Sequence, residues 1–162
     1  MPLPDEPVSN LSSIEGDAGH EYKYVPRLGW GAEPPRSVRR VGLVNYILCT
    51  YTNSRPCLDH DTCSHEIKFV QSKNMQYPDN PDVRYSFLIG GDGAVYEGRG
   101  WGILPRAPKR FAGISSRSLY IAFVGKFKFT PPSAKMFKAK DNLILDGVNK
   151  GYIDKKILIF TM

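Results

Sequence analysis

Tyr85-Ser86-Phe87-Leu88-Ile89-Gly90-Gly91-Asp92-Gly93-Ala94-Val95-Tyr96-Glu97-Gly98-Arg99-Gly100-Trp101 is the stretch that decides the fold. Tyr85 to Ile89 is apolar and aromatic and reads as a strand. Gly90-Gly91-Asp92-Gly93 is a turn, in which Asp92-Gly93 supplies the positive φ a tight hairpin needs. Ala94 to Glu97 returns as the second arm. The glycines do not make a phosphate cradle, because a phosphate loop opens a helix and this turn joins strand to strand.

Working outward, Gly98 to Ser118 is a loop rich in Gly and Pro, and Leu119 to Val124 (LYIAFV) is a further core strand. Pro131-Pro132 open a helix that runs to about Lys150 and stops at Gly151. Its apolar stripe is Met136, Ala139, Leu143, Ile144 and Val148. Ile157 to Phe160 (ILIF) is strand-like. Upstream, Val41 to Cys49 (VGLVNYILC) reads as a buried strand followed by a loop from Thr52 to Asp61. Asp61 or Thr62 can cap a helix reaching Met75, with Cys63, Ile67, Val70 and Asn74 on one face and Phe69 beside it. Residues 1–26 are polar and rich in Ser, Asp, Glu and Pro, and are expected to form a flexible leader. The folded domain is then 27–162. Strands alternating with helices imply an α/β fold, with a mixed central sheet flanked by helices.

The net charge of +6 favours polyanions in general, but the basic residues are scattered rather than gathered in a stripe. An ordinary solvated surface is therefore expected and no nucleic-acid partner. No apolar run is long enough to span a bilayer. The start of the chain, MPLPDE, lacks the basic and apolar regions of a signal peptide. Cys57 and Cys63 bracket a short loop while Cys49 sits in an apolar run. The simplest partition is a close pair and one buried thiol, and a bridged pair would place the domain in an oxidising compartment. That conflicts with the start of the chain unless the chain is part of a longer secreted or anchored protein, or an internal isoform.

The quoted stretch is similar to the YNFLIGGDGxVYEGRGW segment of peptidoglycan recognition proteins, and Trp30-Gly31-Ala32-Glu33-Pro34-Pro35 resembles their WGARPP opening. Three shorter features agree: the Cys57/Cys63 spacing of the family's disulfide, the strand Ile121-Ala122-Phe123-Val124-Gly125, and Asp146 to Ile153 at the end of the long helix. The resemblance covers roughly residues 28 to 156. It implies the type 2 amidase-like fold, a groove that holds a muramyl stem peptide, and a Cys57–Cys63 bridge. The alternative for Cys57, His60, Cys63 and His65, a small zinc site, has no counterpart in the family. His20 lies in the leader and carries no signal.

Active members of the family are zinc amidases that cut the bond between the muramoyl lactyl group and L-alanine. Zinc catalysis needs three protein ligands and an open position for water. The family's first ligand segment falls on Cys49-Thr50-Tyr51-Thr52-Asn53, where Thr50 and Tyr51 replace the paired histidines. The remaining ligands belong to a segment at or beyond Met162, so the resemblance implies a C-terminally truncated fold, no metal ligands and no zinc cofactor. Tyr85 matches a tyrosine that assists catalysis in active members and is left as a vestigial catalytic group and groove wall. Ligand-binding candidates are Tyr51, Thr52, Tyr85, Trp101 and Arg106, since aromatic and hydrogen-bonding groups suit a sugar-peptide. Gly102 to Pro108 replaces the family's usual GAH segment. The expected function is non-catalytic recognition or regulation in innate immunity. The expected partners are bacterial peptidoglycan, muramyl peptides or a related recognition domain, outside the cell or on a receptor ectodomain. Two other readings stay open: a zinc amidase, and a truncated isoform without independent function.

Overall fold

Residues 21–162 are described by a computed structural model of the chain. Six strands form one sheet: β1 (Tyr24–Val25), β2 (Val44–Tyr51), β3 (Phe87–Ile89), β4 (Val95–Glu97), β5 (Ser118–Phe123) and β6 (Ile153–Thr161). Their spatial order is β1-β4-β3-β5-β2-β6. Only the β3–β4 hairpin is antiparallel, and every other neighbour pair runs parallel. The helices are α1 (Arg27–Trp30), α2 (His60–Met75) and α3 (Ala134–Asn149).

The sheet is buried on both faces, which is why its central strands read as continuous apolar runs. On one face Ile47, Phe87, Leu119 and Ile121 pack against Met136, Ala139, Leu143 and Ile144 of α3. On the other, Leu48, Leu88, Tyr120 and Phe160 pack with Trp30 and with Ile67 and Val70 of α2. Ser133 caps α3 by accepting from the Met136 amide at 3.3 Å.

Three local expectations change. The cap of α2 is Asp59 rather than Asp61 or Thr62. Its carboxylate accepts from the Thr62 amide at 2.8 Å, and the Thr62 hydroxyl accepts from the Asp59 amide at 3.2 Å. This reciprocal pair satisfies two groups at once, which neither later residue could do. Phe69 is exposed under the Lys73 ammonium, and Asn74 accepts from the Arg84 amide instead of joining the core. The sheet also begins inside the expected leader. Tyr24 and Val25 pair with Val95 and Tyr96, and the Val95 amide donates to Lys23 at 2.8 Å. A two-residue strand has no periodicity to read, so only its β4 partner reveals it. Residues 1–20, His20 among them, lie outside the described residues.

The hairpin turn is held by its own aspartate. Asp92 accepts from the Ala94 amide at 3.1 Å and from the Tyr96 hydroxyl at 2.7 Å, and Gly93 has φ 79°. Gly91 lies so close to the disulfide loop that an added Cβ would sit 1.9 Å from the Cys57 carbonyl oxygen. Backbone cannot yield as a flexible side chain can. Gly91→Ala should therefore cost roughly 1–3 kcal/mol, read as a lowered urea midpoint with unchanged slope.

Candidate functional site

The carboxyl end of β2 meets β5 and the segment entering β3, and there three side chains come together. Tyr85 and Tyr120 meet at 5.0 Å with their ring planes tilted by 56°, and Thr50 is near enough to Tyr120 to favour slightly the charged form of its phenol. The pair is seated by Ser86, whose hydroxyl accepts from the Tyr120 amide at 3.1 Å while its own amide donates to the Tyr120 carbonyl at 2.7 Å. Burial raises both phenols above the ordinary tyrosine range, partly offset at each by the Arg84 charge. Both therefore stay protonated at neutral pH and keep an O–H donor. Arg110 adds a second positive charge acting on Tyr120. Tyr120 was hidden in the sequence because it sits in a run that reads as plain core.

The other expected groove residues are dispersed. Arg106 lies close by, since its amide donates to the Arg84 carbonyl at 2.9 Å. Its guanidinium holds the Asp79 carboxylate at 2.9 Å and keeps that carboxyl below its usual range. It borders a cleft of about 410 Å³ shared with Arg39, Arg99 and Lys109. Thr52 accepts from the Gly125 amide at 3.0 Å and bonds Ser54 at 2.6 Å, so its hydroxyl ties the loop to the end of β5. Tyr51 points to the α3 face, edge-on to Phe127 at 6.2 Å. It lines a cavity of about 120 Å³ with Cys49, Phe123, Phe137 and Met162. Trp101 is also on the α3 face, against Phe87 at 4.6 Å and parallel to Tyr152 at 5.0 Å. The alternation of strand side chains separates Thr50 from Tyr51, a division that a list of neighbours in sequence cannot display.

The donor chemistry at this end of the sheet is a Thr50 hydroxyl, a Tyr51 phenol and a Met162 thioether. Met162 is brought beside β2 by its amide, which donates to the Cys49 carbonyl at 2.9 Å. These groups do not fit a catalytic zinc, which takes imidazole, thiolate or carboxylate ligands. Among the described residues no group of three or more His, Cys, Asp or Glu is placed to hold a metal. Cys57 and Cys63 form a disulfide with Cα atoms 4.9 Å apart, which removes the thiolates that a site with His60 and His65 would need. His60 instead stacks on Tyr96 at 6.2 Å. Cys49 is free and buried, and burial pushes its thiol up to about 11.

Residues 40–160 match the family described as N-acetylmuramoyl-L-alanine amidase. Peptidoglycan-recognition protein 2 of Holotrichia diomphalia is 33% identical over 131 residues, 80% of this chain and 68% of its own length. Peptidoglycan-recognition protein LC of Drosophila melanogaster is 33% identical over 153 residues, 93% of this chain and 29% of its own length. The chain also spans 66% of the length of peptidoglycan-recognition protein 3 of Holotrichia diomphalia. Among solved structures, Drosophila PGRP-LB superposes with a TM-score of 0.81 at 30% identity, covering 87% of this chain and 82% of that one. A complex of tracheal cytotoxin with the PGRP-LCa and PGRP-LCx ectodomains gives 0.81 at 28% identity, covering 86% and 83%. The chain belongs to the peptidoglycan recognition protein family, with the mixed α/β sheet of its amidase-like fold.

Proposed function

We propose that this domain recognises muramyl peptides of bacterial peptidoglycan without cleaving them. The observation that carries the reading is the Thr50–Tyr120–Tyr85 cluster. It gathers two aromatic rings, Tyr85 8% and Tyr120 5% exposed, and their protonated hydroxyls where the neighbouring side chains supply no ligand set for a metal. Aromatic rings with a few placed hydrogen-bonding groups suit a sugar-peptide, and the flanking Arg84 and Arg106 suit its carboxylates. The solved complex of two PGRP ectodomains with tracheal cytotoxin supports a ligand of this class. It also supports a regulatory variant of the reading, in which this domain pairs with a related recognition domain. The Cys57–Cys63 bridge favours an oxidising, extracellular setting.

The test is sedimentation with insoluble peptidoglycan, together with an assay for peptide released from muramyl peptides with and without added zinc. Binding with no release is expected in both conditions. Tyr85→Phe keeps the ring and removes the hydroxyl, and should weaken binding about three- to tenfold. Chelator-sensitive release of peptide would replace this reading with that of a zinc amidase.

A further inference from the structure

Among the described residues β6 ends the sheet, with β2 on one side of it. Its pairing shows which backbone groups face outward. The Met162 amide donates inward to Cys49, and β6 runs parallel to β2 with Leu158 beside Tyr46, Ile159 beside Ile47 and Phe160 beside Leu48. The amide and carbonyl of one residue leave a strand on the same side, and successive residues alternate. Leu158, Phe160 and Met162 therefore bond to β2, and Ile157, Ile159 and Thr161 turn their amides and carbonyls away from the sheet. Such a row is a template for another strand.

We infer that this edge pairs with β6 of a second copy of the chain, antiparallel about a two-fold axis at Ile159. The choice of partner comes from self-complementarity. With the axis at Ile159, that residue faces its symmetry mate, and Ile157 faces Thr161 of the other copy. All the outward groups of the three residues are then used, in about six N–H···O bonds. Between these pairs Leu158 meets Phe160 of the second copy. Leu158 is the apolar side chain of this segment left 38% exposed, and the pairing covers it. The same register handles the charges. Lys155 and Lys156 precede the paired segment, so the two copies place their lysines at opposite ends of the new ladder, with Lys156 facing Met162. A parallel arrangement in register would stack each lysine on its equivalent, which is destabilising. A C2 contact of this kind is closed, so it yields a dimer and not a fibre. It lies on an edge separate from the tyrosine cluster and does not depend on what the groove binds.

The full chain should sediment as a dimer at concentrations on the order of 100 μM and dissociate on dilution. Amide hydrogen exchange supplies a residue-level reading: Ile157, Ile159 and Thr161 should become protected as concentration rises, while Leu158 and Phe160 are protected throughout. Thr161→Pro removes one outward amide from each copy, at an exposed position on an edge strand where proline is tolerated. Leu158→Lys places a charge against the facing Phe160. Each should raise the dimer dissociation constant about tenfold or more. Monomer at high concentration would overturn the inference. So would a dimer indifferent to both variants, or protection that does not alternate.

Discussion

Phe160→Ser should unfold the domain or come close to it, whereas Leu158→Ser, two residues earlier on the same strand, should cost less than about 1 kcal/mol. Phe160 is fully buried and packs on Phe111 at 6.0 Å and Tyr46 at 6.3 Å, while Leu158 is partly in solvent. Truncating a buried phenylalanine costs about 3–5 kcal/mol. A serine hydroxyl left without a partner in that space adds about 1–3 kcal/mol. Together these rival the whole stability of a small domain, about 5–15 kcal/mol. Urea unfolding with far-UV circular dichroism would show the contrast. Equal, small effects from the two variants would mean that β6 does not lie on β2 as described.

The second large effect is expected at Asp82. This carboxylate is 2% exposed. It accepts from both terminal nitrogens of Arg27 at 2.8 and 3.1 Å, from the Gln71 amide at 2.9 Å and from the Val83 backbone amide at 2.7 Å. Through these bonds one side chain joins α1, α2 and the segment leading to β3. Asp82→Ala leaves the partly buried Arg27 guanidinium without its counter-ion and strands two further donors. Breaking such a pair from one side costs about 3–5 kcal/mol. Arg106→Ala is the control, because the Arg106–Asp79 pair is open to solvent on both sides and exposed pairs contribute little. The difference should appear as a large fall in melting temperature for the first variant and no measurable change for the second. Comparable melting temperatures would show that the Asp82 network does not hold these elements together.

The strands and helices were legible because their periods and boundaries are written locally. LYIAFV read as a core strand and forms β5 from Ser118 to Phe123, and Pro131-Pro132 with Gly151 bracketed α3 to within a few residues. The disulfide was legible through its family-like spacing. Small boundary errors followed from interactions that span a turn or a sheet. The Asp59–Thr62 capping box displaced the start of α2, and the β1–β4 pairing turned Tyr24 and Val25 from leader into strand.

The site was read less completely. Tyr85 and Arg106 do come to one side of the sheet, but Tyr51 and Trp101 face α3, and Tyr120 and Arg84 take their place beside Tyr85. By itself the sequence determined the class of fold, the family, the bridged cysteines and the absence of histidines at Thr50 and Tyr51, because each of these depends on residue identity and local spacing. Only the tertiary structure decided which side of the sheet each aromatic ring occupies, that Phe160 closes the core under Phe111, and that Ile157, Ile159 and Thr161 turn their backbone groups outward. A strand reverses its side-chain face and its hydrogen-bonding edge at every residue, so these outcomes depend on pairing register, which is set by partners distant in the chain.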